Sequence, residues 1–140
     1  MENNLIESLG SRGESHLAAN MHSDEKILAK IKGSWGQGLV LTDRHVFIVK
    51  WGYMTGNTFG GRCSAFDYSK VVGVEIKKNL LTGVLEVLTA ATRDAHLSFW
   101  DQKANSAFKS NYAISFNSAM FDKFQLVTVL AREKINSRGQ

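Results

Sequence analysis

"GLVLTDRHVFIVKWG", Gly38–Gly52, decides how this chain folds. Two apolar runs flank Thr42, Asp43, Arg44 and His45. With Asp43 and Arg44 as a two-residue loop, the runs become two strands of a hairpin. Leu41 then faces Val46, Val40 faces Phe47, and Leu39 faces Ile48. Facing residues share a side of the sheet. Leu39, Leu41, Val46 and Ile48 therefore form one aliphatic face, the expected core. Val40, Thr42, His45, Phe47, Val49 and Trp51 form the other.

The four polar residues also contain the parts of a catalytic site: a hydroxyl, an imidazole and a carboxylate. Catalysis needs the base oriented by the carboxylate and the nucleophile within hydrogen-bond reach. A tight turn instead points Asp43 and Arg44 into water. An Asp at a turn is explained by its side chain capping nearby backbone N–H groups. The stretch reads as a corner, and the chain as a non-enzyme.

Working outward, Ile27, Ala29 and Ile31 alternate with Lys26, Leu28, Lys30 and Lys32, which predicts a strand. "GSWGQG" follows as a flexible loop around Trp35. Beyond the hairpin come a weaker strand at Arg62–Asp67 and a strand with Val72, Val74 and Ile76 on one side. "NLLTG" turns the chain. A strand with Leu85 and Val87 alternating against Glu86 leads to "AHLSFW", and "YAISF" is the last strand. The period then changes to 3.6, with Met120, Phe124, Val127, Ala131 and Ile135 on one stripe, widened by Phe121 and Leu130. Asn117 or Ser118 is the expected N-cap. Near the N-terminus, Leu17, Ala18 and Met21 are spaced for a short helix. About seven strands closed by one amphipathic helix predict a barrel or half-barrel that hides its sheet edges.

At 140 residues and 44% apolar, the chain suits one domain with one core. No apolar run approaches the roughly 18–20 residues of a membrane span. The N-terminal stretch is acidic and polar, unlike a secretory leader, and the single cysteine, Cys63, forms no internal disulfide. A cytoplasmic protein is expected. The net charge of +4 is spread along the chain, densest at Lys30/Lys32 and Lys77/Lys78, which reads as a solvated surface.

"DEKIL", "GLVLTDRHVFIVKWG", "FDYSKVVGVEI" and "TGVLEVLTA" together resemble the bacterial pleckstrin-homology-like families, of the YokE-like and GRAM-like kind. The resemblance spans about Ser23 to Ile135. It implies a seven-stranded antiparallel barrel, split into two near-orthogonal sheets and capped by the C-terminal helix. It also implies a fold that hosts lipid, peptide and self-association sites. The expected organisation is an N-terminal segment over 1–22, partly helical or flexible, a PH-like domain over 23–135, and a frayed tail over 136–140.

Val40, Phe47, Val49 and Trp51, joined by Trp100, are more apolar than a solvated sheet face requires. They are the expected contact surface for a protein partner or a second copy, unless the N-terminal segment covers them. The alternative is a peripheral membrane or lipid-binding module using Lys30, Lys32 and Trp35, with an indole at the interface. Against headgroup recognition, "GLVLT" carries no charge. Cys63 reads as structural. The histidines have no metal-ligand spacing, and no phosphate loop or nucleic-acid signature occurs, so no metal, cofactor or nucleic acid is expected.

Overall fold

Alternation around Asp43 and Arg44 sets the register of the first sheet. The computed structural model describes residues 5–51, 61–90 and 112–138. Among them, β1 (Ile27–Lys32), β2 (Gln37–Thr42), β3 (His45–Trp51) and β4 (Gly61–Asp67) form one antiparallel sheet in that order. β5 (Val71–Lys78), β6 (Thr82–Thr89) and β7 (Ala113–Asn117) form a second, also in sequence order. In the hairpin Leu41 faces Val46, Val40 faces Phe47 and Leu39 faces Ile48, as the alternation predicts.

The inner faces of both sheets share one core, sealed by the C-terminal helix α2 (Phe121–Arg138). Leu39, Leu41, Val46 and Ile48 meet Val74, Leu85, Val87, Ile114 and Phe116 there, together with Phe124, Val127 and Ala131 of the helix. Met120, Phe121, Leu130 and Ile135 flank the helical stripe, so its period of 3.6 is the one that packs. The Asn117 side chain caps the 3-10 turn before α2, accepting from the Ala119 N–H at 3.1 Å. The helix runs on to Arg138, through the first residues of the expected tail. The result is a helix-capped β-sandwich with a short N-terminal helix. No helix of the described residues is long and apolar enough to cross a membrane.

Two departures from strict alternation have local causes. A bulge between Ile27 and Ala29 puts Ile27 opposite Thr42, on the outer face, while Ala29 and Ile31 stay in the core. A second irregularity between Val71 and Gly73 brings Val71 inward, leaving Val72 half exposed. Glu86, which alternates against Leu85 and Val87, is fully buried on the outer side of β6, beside a small cluster of Val84, Ala113 and Tyr112. The expected "AHLSFW" strand lies outside the described residues.

Sheet edges are covered from within. The Lys30 N–H donates to the Leu5 carbonyl at 2.6 Å, and the Glu7 N–H donates to the Lys30 carbonyl at 2.7 Å, so the N-terminal segment lies along β1. On β5, Arg132 of α2 donates to the Val74 carbonyl at 2.8 Å. Both contacts occupy groups that an open edge would offer to another chain.

Candidate functional site

The corner at Thr42–His45 is built around a residue outside it, Glu25. The Glu25 side chain is buried and accepts from the Thr42 hydroxyl, from His45 Nδ1 at 2.8 Å and from the His22 N–H at 3.0 Å. Thr42 Oγ1 in turn accepts from the N–H groups of Arg44 and His45, at 3.1 and 2.9 Å. A hydroxyl engaged in this way caps the turn. Asp43 accepts from the Lys26 N–H at 2.9 Å, and Arg44 pairs with Asp24 at 2.9 Å. Burial alone would push the Glu25 carboxyl up, but the hydrogen bonds from Thr42, His45 and His22 outweigh it and hold it below its ordinary value. The constellation clamps the hairpin tip to the strand entrance at residues 24–26.

The apolar outer face of the hairpin is already occupied. Helix α1 (Gly10–Ala18) lays Leu17 onto it, and the preceding Leu9 joins in, so that Val40, Phe47 and Val49 have no accessible surface. Trp51, Ile27, Met21 and Cys63 border this second cluster. The covering is tight at Gly13, where a Cβ would lie 2.9 Å from the Trp51 ring and 2.7 Å from Leu9. Of the expected protein-contact residues, then, Val40, Phe47 and Val49 are sealed by the chain's own N-terminal segment, and Trp51 is partly so. Trp100 lies outside the described residues. Burial pushes the Cys63 thiol up to about 12, which favours its protonated form in this packing.

The expected lipid-contact residues divide. Lys30 pairs with Glu14 of α1 at 2.7 Å and is nearly covered. Lys32 is exposed, and Trp35 is 68% exposed at the tip of the loop at 33–36. Trp35 is also the one non-glycine residue with positive φ among the described residues, at 53°. That conformation costs an aromatic residue roughly 1–3 kcal/mol and persists only where the surroundings impose it. Gly36 follows at φ 75°, where a Cβ would lie 1.8 Å from the Trp51 carbonyl oxygen.

A second exposed apolar tip stands at the β5–β6 turn. Leu80 and Leu81, in the β5–β6 turn, are 88% and 73% exposed. Asn79 builds the turn by accepting from the N–H groups of Leu81 and Thr82, which pushes the two leucines outward. Both tips are tied to one segment. The Ser34 N–H donates to the Ser115 carbonyl, and Ser118 donates to the Leu80 and Leu81 carbonyls. Three residues of near-extended chain put those anchors about 10 Å apart. Lys32, Lys77 and Lys78, all exposed, stand close to the two tips in sequence, the Lys78 amine lying 4.8 Å from the centre of the Phe121 ring. The signal for the second tip was the apolar pair in "NLLTG", where turn chemistry calls for polar residues.

Beneath the Trp35 loop lies a buried polar group. Gln37 and Lys50 face each other across β2 and β3, on the core side, and both are fully buried. The Lys50 amine donates to Gln37 Oε1 at 2.9 Å, and that oxygen also accepts from the Ser115 N–H at 3.1 Å. The Gln37 amide nitrogen reaches the Ser34 carbonyl and, at 2.9 Å, Ser115 Oγ. Burial, with Arg62 nearby, lowers Lys50 to about 6. The pair was legible in principle, since residues 37, 39 and 41 and residues 46, 48 and 50 share the core face.

Among the described residues, no three His, Cys, Asp or Glu side chains gather as a metal site. No family model, curated protein or solved structure matches the chain.

Proposed function

We propose that the chain is a non-enzymatic, PH-like binding module of the cytoplasm that docks reversibly on anionic membrane surfaces. The order of four strands, three strands and a closing helix supports the PH-like assignment. The observation that carries the docking reading is the pair of exposed apolar tips, Trp35 and Leu80–Leu81, hung on one segment and flanked by lysines. Single exposed leucines are ordinary on a protein surface, but a strained, exposed indole beside two exposed leucines is not. Indole favours the headgroup level, and each lysine near an anionic surface contributes about 1 kcal/mol. Lys32, Lys77 and Lys78 together would then favour anionic over neutral vesicles by roughly a hundredfold. Protein contact through Val40, Phe47 and Val49 would require α1 to leave first.

Co-sedimentation with phosphatidylcholine vesicles, with and without phosphatidylserine, tests the docking. Pelleting is expected only with the anionic lipid, falling with salt and with Trp35→Ala or Leu80→Ser/Leu81→Ser. Absence of pelleting at low salt would dismiss the membrane.

A further inference from the structure

The loop at 33–36 does not hold itself in place. Two successive residues, Trp35 and Gly36, are left-handed, and the indole points away from the domain. Its backbone is instead gripped from outside the loop. Ser34 donates to Ser115 at 3.0 Å, Trp51 donates to the Gly36 carbonyl at 2.8 Å, and Gly33 donates to the Gln37 carbonyl at 2.9 Å. The side-chain tether is the Gln37 amide on the Ser34 carbonyl.

Its orientation is settled by its neighbours. Two donors, the Ser115 N–H and the Lys50 amine, converge on one end of the amide, so that end is the oxygen. The nitrogen must then face Ser34 and Ser115 Oγ, where acceptors stand. From this geometry we infer that Gln37 is the positioning residue of the Trp35 tip, fixing the indole outward before any surface is met. This inference rests on the membrane reading above. A tip already in place has less conformational freedom to lose on binding, which is where preorganisation gains affinity.

Gln37→Glu separates the tether from the fold. The carboxylate keeps an acceptor for the Ser115 N–H and for the Lys50 amine, but turns an oxygen toward the Ser34 carbonyl. Full-length protein carrying 5-fluorotryptophan reports the tip directly, its Trp35 fluorine resonance assigned by loss in Trp35→Phe. Gln37→Glu should narrow that resonance, as the tip gains motion, without lowering the melting temperature. It should also weaken binding to phosphatidylserine vesicles roughly threefold to tenfold. In a Trp35→Ala background it should cause no further loss, because the two changes act on one interaction.

An unchanged fluorine line in Gln37→Glu overturns the inference, as does an equal loss of binding with Trp35 already removed. If the wild-type protein ignores vesicles, the membrane reading falls. The fluorine line still decides whether Gln37 fixes the tip. Should Gln37→Glu fail to fold, Gln37→Met, of similar length and without a donor, is expected to narrow the line in the same way, and an unchanged line there is equally decisive.

Discussion

Lys50 and Glu25 are two buried ionisable groups with opposite consequences for pH. Lys50 sits at about 6 in the folded chain, far below the ordinary 10.5 of a lysine. Between those values the unfolded chain binds one more proton than the folded one, so stability rises with pH, by about 1.4 kcal/mol per unit for a single proton. Urea midpoints should therefore climb from pH 7 to 9, and Lys50→Met should flatten the climb while raising stability at pH 7. Glu25 is held low by its donors, so its contribution is present above the ordinary carboxyl range and is lost as pH falls through its folded value. Glu25→Ala strands the Thr42 hydroxyl, the His45 ring and the His22 N–H, at a cost on the order of 3 kcal/mol at pH 7. Equilibrium unfolding of that variant should also show a shallower loss of stability below pH 5, with Glu14 and Asp43, which are lowered too, supplying the rest.

Among the elements, α1 is the weak one by intrinsic preference. It carries two glycines in nine residues, and Leu9 at its N-cap offers no side-chain hydrogen bond. Docking on the outer face of β2 and β3 holds it, and Gly13 is the point of closest approach. Gly13→Ala sets a gain in helix propensity of about 1 kcal/mol against overpacking between Leu9 and Trp51, which costs about 1–3 kcal/mol. Neither neighbour can yield easily, one contact being a Cβ and the other a ring. The expected outcome is a lower melting temperature by calorimetry, where an exposed helical glycine would show a rise. The strands were largely legible element by element. The bulges that moved Ile27 and Val72 were not, because a one-residue slip leaves the composition of an alternating run unchanged while exchanging its faces.

At the scale of the whole molecule, the N-terminal segment converts an open-faced sheet into a two-sided one. Leu5 and Glu7 lie along β1, Glu7 pairs with Lys123 of α2 at 2.7 Å, and Glu14 pairs with Lys30. Leu9 and Leu17 supply the apolar cover. Removing residues 1–22 should uncover Val40, Phe47 and Val49 together, a contiguous apolar patch of the kind that drives association. Sedimentation at tens of micromolar is expected to show the full chain as a monomer and the truncated chain as dimers or larger species. Equal sedimentation of the two would mean the cover is dispensable. The candidate site was half legible at this scale. Trp35 and Lys32 stood out in a glycine-rich loop, whereas Leu80 and Leu81 are linked to that loop only through the Ser115–Ser118 segment of a distant strand.

By itself the sequence determined the strands of the two described sheets, the hairpin register, the core face of that hairpin and the closing helix, because periods of two and 3.6 are written into neighbouring residues and need no partner to be read. Only the tertiary structure decided which surfaces stay exposed. Val40 and Trp35 are both apolar residues in or beside the same hairpin, yet one is sealed and the other presented. The difference lies in what the rest of the chain brings across: a helix from the N-terminus over the first, and β7 with a buried glutamine beneath the second.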